Sequence, residues 1–304
     1  MAAGVTSTTE INQAVERFLA KSRYTLQERE GVIRSTIEIE SLPENAGPSV
    51  YIPKYGQVTT YALTEGVDMA QAQQITDTLM TITPAEFGAQ VVLTDMMMMT
   101  VRDSFNTVAT KILRDSFDRQ QDQTLCDDMD NYSLALGADG TVMTVAHVMA
   151  AVAAISDAGR AADGSAGRGG EIAPRPYFGA FAPPMVHTLN KTLVGGIGAA
   201  GATQVSPETE KARKTSGSFT IPGIDLTVVV DTNFNKASDD TIKGGVYSKS
   251  AQILVELGSA ASVEKERDAS LRAWELNYVG RWARGEYNDN WGREMLFEST
   301  RPTS

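Results

Sequence analysis

Residues 89–136 contain neither glycine nor proline, and most of this stretch keeps one amphipathic pattern. Its apolar side chains recur at steps of three and four residues, which is the period of an α-helix. They include Val101, Phe105, Val108 and Ile112. A helix from about Thr94 to about Tyr132 would be about 58 Å long, three times the radius of gyration of about 19 Å expected for a compact chain of this size. The pattern therefore favours a flat, extended subunit, with two shorter helices broken near Thr107–Thr110 as the alternative.

The composition is that of a folded, acidic protein. Hydrophobic residues make up 42% of the 304 residues, enough to bury the core of one large or two ordinary domains. Lys and Arg total 27 against 38 Asp and Glu, which gives a net charge of −11, and no run of basic residues occurs. This charge argues against tight binding to nucleic-acid phosphates. An acidic protein can still enclose DNA without gripping it.

The cysteine content and the terminal sequence exclude further classes. Cys126 is the only cysteine, so no intrachain disulfide can form. The acidic neighbours Asp127 and Asp128 disfavour a thiolate, which predicts a small helix-packing residue. The N-terminal residues lack the basic and apolar regions of a signal peptide, and no apolar run reaches about eighteen residues. The sequence therefore supports neither secretion nor a membrane span.

Two segments before the predicted helix are expected to be only marginally stable by themselves. Ser7 and Glu10 form a capping box that opens a short helix with one apolar stripe. Residues 35–93 are rich in β-forming residues and read as a long hairpin, which is marginal in water by itself. The hairpin would gain stability on a partner, and the stripe would dock on its own subunit or on a neighbour. The predicted subunit-interface residues are Ile11, Val15, Phe18, Leu19, Tyr51, Ile52, Tyr55, Tyr61 and Leu63.

After Gly137 the patterns alternate between helix and strand. A flexible loop is predicted over 159–170, and its glycines lack the lysine and the strand-to-helix context of a phosphate-binding loop. The predicted elements are a helix over about Thr144–Ala158, a strand at Tyr177–Phe181, a short helix opened by Pro183 and Pro184, and a hairpin of Phe219–Ile221 with Ile224–Val230.

The C-terminal region carries all three tryptophans in two β-like runs. Even spacing places the aromatic residues of the first run on one face of a strand, and the second run repeats the pattern after a turn. An amphipathic helix through Leu271, Trp274 and Tyr278 is the alternative. The first run contains Trp274, Leu276, Tyr278 and Trp282, and the second contains Trp291, Met295 and Phe297.

No catalytic or metal-binding motif emerges. His147 and His187 lie far apart in predicted helices, and no nucleophile elbow, zinc-binding helix or dinucleotide fingerprint occurs. The acidic residues after Cys126, namely Asp127, Asp128 and Asp130, splay around a helix and predict a solvated helix end. We therefore predict no catalytic, cofactor-binding or metal-binding residues and no enzyme activity.

One segment superficially resembles a calcium loop. It contains Asp231, Asn233, Asn235 and Asp239. The sixth position is Lys236 where such a loop needs glycine, and the twelfth is Ile242 where it needs a bidentate glutamate. The segment is predicted to be an ordinary turn.

The order of parts, together with several short stretches, resembles a tailed-bacteriophage major capsid protein. The stretches are YIPKYGQ, LTEG, YFGAFAPPMVHTL and GEYNDNWGREMLFE. The resemblance covers nearly the whole chain and is greatest to the podovirus N4-type family, whose α+β fold is of the Hong Kong 97 type. The parts implied are an N-arm (1–34), an extended loop with leading peripheral-domain strands (35–93), a spine helix (94–139), a mainly axial domain (140–244) and a returning peripheral-domain β segment (245–304).

The resemblance also implies partners and a location. The chain would form hexamers and pentamers of an icosahedral shell that encloses double-stranded DNA without reading its sequence. It would assemble in the host cytoplasm with a portal, a separate scaffolding protein and, in some shells, a decoration protein, and would reside in the virion capsid without contacting a membrane. The alternatives are an encapsulin-like compartment shell, an α/β enzyme with a non-local site, and a tail or baseplate protein.

Overall fold

The computed structural model describes residues 5–6, 32–42, 47, 49–56, 58, 60–63, 65–66, 68, 72–100, 104–157, 172–195, 218–221, 224–236, 240–258 and 262–298. The helices are α1 Asp95–Thr100, α2 Ser104–Asp127, α3 Val145–Ser156 and α4 Pro183–Gly195. The strands are β1 Val5–Thr6, β2 Glu38–Leu42, β3 Val50–Tyr55, β4 Asp77–Ile82, β5 Ala85–Thr94, β6 Ala135–Gly137, β7 Tyr177–Phe181, β8 Ser218–Ile221, β9 Leu226–Val230, β10 Thr241–Ser248, β11 Gln252–Leu257, β12 Ser262–Asp268, β13 Ala273–Glu286 and β14 Gly292–Glu298.

The first sheet is built around the long strand β13. Its order is β1-β5-β13-β11-β2, and β12 also pairs with β13. One edge of β13 pairs with β5, while the other edge pairs first with β12 and then with β11. Helix α2 packs on this sheet because its apolar stripe faces alternate side chains of β13. The contact residues include Ala109, Leu113, Leu93, Met97, Leu276 and Tyr278.

The second sheet has the order β6-β14-β10-β7-β9-β8 and carries the larger core. Helices α3 and α4 contribute apolar side chains to that core, as does the C-terminal part of α2. Thr144 caps α3 through a capping box with His147, which satisfies two backbone groups at the start of the helix. The largest fully buried side chains there include Tyr247, Phe181, Phe297, Met129 and Met185.

Strands β3 and β4 form a separate antiparallel hairpin. Inward side chains at its base, including Ile52, Met80 and Ile82, pack against Ile253 and Val255 of β11. Strand alternation turns the other face away from the protein, because successive side chains of a strand point to opposite sides. The hairpin is therefore attached at its base and open along its outer face.

The predicted helix over about Thr94–Tyr132 corresponds to α1 and α2. Strand β5 keeps its pairing with β13 as far as Thr94, α1 follows directly, and α2 begins at Ser104 after residues 101–103, which lie outside the described part of the chain. Helix α2 ends at Asp127 and continues as a 3₁₀ turn to Asn131, so both predicted ends are close to the observed ones, while continuity across 101–103 stays a prediction. The alternative break near Thr107–Thr110 is wrong, since α2 is continuous there.

Most of the shorter predicted elements are confirmed. The predicted helix after Thr144, the strand Tyr177–Phe181, the helix opened by Pro183 and the hairpin of β8 and β9 all occur. The aromatic run is strand β13 and not a helix. Leu276, Tyr278 and Trp282 are buried on one face as expected, whereas Trp274 at the strand end is 37% exposed.

Residues 245–298 do not remain in one layer. Strand β10 and strand β14 lie in the second sheet, whereas β11, β12 and β13 between them lie in the first. The C-terminal region therefore crosses from one sheet to the other and back. The predicted domain boundaries remain predictions.

Candidate assembly surface and the carboxyl junction

The outer face of the β3–β4 hairpin is a run of exposed apolar side chains. Tyr51 is 61% exposed, Tyr55 67% and Leu79 58%. Beyond these strands, Tyr61 is 54% exposed and Leu63 66%. Several exposed large apolar side chains in one part of the chain are typical of an interaction site. We call the set Tyr51, Tyr55, Tyr61, Leu63 and Leu79 the hairpin surface.

The predicted interface residues divide into three groups. Tyr51, Tyr55, Tyr61 and Leu63 belong to the hairpin surface. Ile52 instead faces inward and packs against the protein's own core at the hairpin base. The third group lies outside the described residues and comprises Ile11, Val15, Phe18 and Leu19.

A second feature lies inside the protein, where Asp122 of α2 meets Asp231 and Asn233 of the turn after β9. These three residues, which we call the carboxyl junction, are 2%, 0% and 6% exposed. Asn233 joins both carboxyls, since its backbone N–H donates to Asp231 Oδ1 over 2.9 Å and its Nδ2 donates to Asp122 Oδ2 over 2.7 Å.

The carboxyl junction also holds the first residues of the segment at 32–36. The backbone N–H of Ile33 donates to Asp122 Oδ1, and that of Val32 donates to Asp231 Oδ2, each over 3.1 Å. All four carboxyl oxygens therefore accept an N–H. The thiol of Cys126 donates to Asp122 Oδ2 over 3.9 Å, and burial followed by the Asp122 charge raises the thiol pKa. A neutral, buried thiol is a packing group here.

Sequence reasoning missed this junction. The sequence predicts an ordinary turn at Asp231 and Asn233, and in the structure both residues are buried partners of α2. The available signal is the position of Asp122 four residues before Cys126, on the face of α2 that also carries buried Leu125. A carboxyl on a buried helix face requires partners.

The acidic end of α2 is paired with cations and is not simply solvated. Asp128 lies 2.6 Å from the Arg284 guanidinium, and Asp130 forms an ion pair with Lys243. Burial raises the pKa of Asp128 to about 6, against the opposing effect of Arg284. Asp127 is exposed. These contacts bind the helix end to strands of both sheets.

A groove of about 660 Å³ runs along the outer side of α2. Its lining is dominated by charged and polar side chains of both signs, among them Arg34, Lys111, Arg114, Asp118 and Lys265. A small-molecule site is ordinarily a deeper, mainly apolar pocket with a few convergent polar groups. The groove therefore does not resemble an enzyme's active site.

The helices give no sign of a membrane span. Among the described residues, none of them combines the length and the hydrophobicity that a bilayer crossing requires.

The whole chain is similar in structure to chains from phage capsids. A chain from the capsid of Ralstonia phage GP4 matches with a TM-score of 0.70 and 10% identity, covering 95% of this chain and 97% of that one. A chain from the capsid of cyanophage P-SCSP1u matches with a TM-score of 0.68 and 11% identity over 97% and 96%. A chain from the head of Helicobacter pylori bacteriophage KHP40 matches with a TM-score of 0.67 and 10% identity over 97% of both.

The chain has a Hong Kong 97-type fold. No protein-family model matches the sequence, and no curated protein matches it either. The Hong Kong 97-type fold of this chain is thus evident from backbone similarity along almost its full length, at identities near one residue in ten. The hairpin surface is exposed in the single chain, whereas the carboxyl junction is buried.

Proposed function

We propose that this chain is the major capsid protein of a tailed bacteriophage, which self-assembles into an icosahedral shell around double-stranded DNA. The observation that carries the proposal is the similarity to capsid chains over 95% of this chain and 97% of the Ralstonia phage chain. The charged and polar lining of the α2 groove is also unlike that of an ordinary small-molecule pocket.

The hairpin surface supplies a physical reason for assembly. Side chains such as Tyr55 and Leu63 remain about two-thirds exposed in the single chain. Their burial against a second copy would remove apolar surface from water at about 25 cal/mol per Å². A closed shell of hexamers and pentamers would bury this surface on every subunit.

The N4-type family is the finer assignment that we propose. It is supported by short sequence stretches, YIPKYGQ at β3 and FGAFAPP across β7 and the start of α4. We also propose the division into an N-arm, an extended loop, a peripheral domain and an axial domain. The first sheet with α2 would form most of the peripheral domain, and the second sheet with α3 and α4 most of the axial domain.

The proposed partners follow from the shell. The protein would act without catalysis and would require a scaffolding protein and a portal, with a decoration protein in some shells. Its net charge of −11 suits an inner wall that encloses DNA without adhering to it. Assembly would take place in the host cytoplasm, and the mature protein would reside in the virion.

Electron microscopy of the purified protein tests this proposal, with and without a scaffolding protein from the same phage. We expect closed icosahedral shells, and in particles purified from infected cells we expect nuclease-protected double-stranded DNA. Shells that contain a cargo enzyme in place of DNA would favour an encapsulin-like compartment. A small, discrete oligomer under every condition would contradict a shell function altogether.

A further inference from the structure

The partners of the carboxyl junction are uncharged donors. They are the backbone N–H groups of Val32 and Ile33, together with Asn233. Among the residues that the structure describes, no Arg, Lys or His side chain forms an ion pair with Asp122 or Asp231. One carboxylate oxygen of Asp122, one of Asp231 and the Sγ atom of Cys126 all lie within 4.8 Å of one another. Two buried carboxylates at this distance repel each other strongly.

The surrounding charged and titratable groups do not offset that repulsion. On α2, the Arg114 guanidinium is paired with Asp118, 3.6 Å away, and Cys126 supplies only a neutral thiol. From the segment at 32–36, the Arg34 guanidinium is directed to Glu256 of β11, 2.8 Å away. From β10, the Tyr247 hydroxyl is bonded to Thr36 Oγ1 over 2.6 Å.

We propose that Asp122 and Asp231 share a single proton, and that this proton fastens residues 32–36 to α2 and to the turn after β9. One O–H donor between the two carboxyls replaces a repulsion with a hydrogen bond, as in other carboxyl pairs that cannot both ionise. The four N–H bonds to the carboxyl oxygens are then retained. Loss of the proton restores the repulsion and loosens the bonds to Val32 and Ile33.

The electrostatics of the site agree with this arrangement. Burial, followed by the charge of Asp231, raises the pKa of Asp122 to about 7. Because the folded-state pKa lies above the unfolded value, the folded protein binds more protons than the unfolded one between about pH 4 and pH 7. The junction is therefore most favourable at acidic pH and weakens as the pH rises through neutrality.

The junction holds the described segment at 32–36. The Val32 and Ile33 amides donate to its carboxyls, so a proton at the junction determines how firmly this segment is held on α2 and on the turn after β9. This inference concerns the single chain and holds whether or not the chain builds a shell.

Asp122→Asn imitates the protonated state. The variant amide keeps an oxygen that can accept the Ile33 N–H, and it removes the negative charge. Its new N–H donor also has an available acceptor, because Asn233 Oδ1 is buried without a hydrogen-bond partner among the described residues. Rotation of the Asn233 amide would bring that oxygen into place. Asp127→Asn, an exposed position on the same helix, is the matched control.

Amide hydrogen exchange on the full-length protein tests the inference. After correction for the intrinsic exchange rate, protection of the Val32 and Ile33 amides should fall about tenfold or more between about pH 5 and about pH 9. Asp127→Asn should behave as the wild type does, and Asp122→Asn should show nearly constant protection. Near neutral pH, infrared spectra should contain the carbonyl band of buried protonated carboxyls, to which Glu286 also contributes. The part of this band that remains in Glu286→Gln should be lost when Asp122→Asn is added.

Two results would overturn the inference. One is wild-type protection that does not change with pH, together with loss of the whole infrared band in Glu286→Gln. The other is a stoichiometric metal ion, detected by native mass spectrometry and lost from Asp122→Asn, because a cation would then replace the proton. If Asp122→Asn does not fold, the infrared band of Glu286→Gln still decides the question.

Discussion

The indole of Trp282 stacks on the ring of Phe87, with the ring centroids 4.5 Å apart and the planes inclined by 21°. Trp282 lies on β13 and Phe87 on β5, so the stack reinforces the backbone pairing of these two strands. Trp282 is 3% exposed and belongs to the same buried cluster as Tyr247 of the second sheet. The aromatic pair therefore lies where the first sheet meets the main core.

Trp282→Ala should destabilise the subunit by about 3–5 kcal/mol, because it leaves a large cavity and removes the stack. Trp274→Ala is the control on the same strand, since Trp274 is 37% exposed and its loss should cost about 1 kcal/mol or less. Urea unfolding of the unassembled subunit measures both values. Equal effects of the two substitutions would contradict the role assigned to the stack.

Gly244 of β10 is required by a close approach of the neighbouring strand. A Cβ there would lie 2.7 Å from the Ala180 carbonyl oxygen and 2.9 Å from Cδ1 of Phe181. Gly244→Ala should therefore cost about 1–3 kcal/mol, since a backbone atom must move. Gly88→Ala in β5 is the control, because its nearest contact would be 3.3 Å and the sheet can adjust. The unfolding temperature of Gly244→Ala should be well below that of Gly88→Ala. The reverse order would disprove the steric argument.

The local elements of this fold could be predicted from the sequence where a pattern and its boundary signals coincide. The helix after Thr144 has a cap and an apolar face. In the aromatic strand β13, Leu276 lies two residues after Trp274, which favours the alternation of a strand over the helical spacing that Trp274 and Tyr278 alone would also fit. The change from strand β5 to helix α1 at Thr94–Asp95 also agrees with the sequence, which predicts a helix from about Thr94. The pairing of β5 with β13 could not be predicted, because the pattern within β5 contains no information about a strand far along the chain.

The two candidate sites also differ in how far they could be predicted from the sequence. Tyr51 and Tyr55 could be predicted as exposed because their strand alternates and cannot bury both faces. Ile52 is also a predicted interface residue. In the structure its side chain points to the other face of β3, because successive side chains alternate, and it packs at the hairpin base. The carboxyl junction joins residues 111 positions apart, so only the folded chain brings Asp122 to Asn233.

Glu286 should make stability depend on pH. Burial and the neighbouring charge of Asp289 raise the pKa of Glu286 to about 7, and its Oε1 is buried without a hydrogen-bond partner among the described residues. Because the folded-state pKa is raised, the ionised carboxylate destabilises the fold progressively from about pH 4.5 to about pH 7 and fully above that. Glu286 therefore weakens the protein at alkaline pH.

Glu286→Gln should raise the unfolding temperature above about pH 7 and change it little below about pH 4.5. The amide also offers an N–H to Gln252 Oε1, a second buried acceptor without a partner in the described part of the chain and directly opposite on β11. Glu264→Gln, at an exposed position of β12, is the control and should leave the pH profile unchanged. A gain at low pH that equals the gain at high pH would rule out a charge effect.

Substitutions in the hairpin surface should impair assembly without lowering the stability of the single subunit. The burial of β3 alternates along the strand, so Tyr51 and Tyr55 face outward, whereas Ile52 packs against the core containing Ile253 and Val255. A double substitution of the two tyrosines by serine should therefore change the free energy of unfolding by about 0.5 kcal/mol or less.

The same double variant, Tyr51→Ser with Tyr55→Ser, should lose most of its shell formation at a concentration at which the wild type assembles. The reason is that each removed ring takes away apolar area that only a neighbouring subunit can bury. Ile52→Ser provides the opposite control, since it should lower subunit stability by about 2 kcal/mol or more by placing a hydroxyl in the core at the hairpin base. Urea unfolding measures stability, and light scattering with electron microscopy counts the shells. If the tyrosine variant unfolds early, the hairpin surface packs on its own subunit; if it assembles normally, the hairpin does not contribute to the subunit contacts.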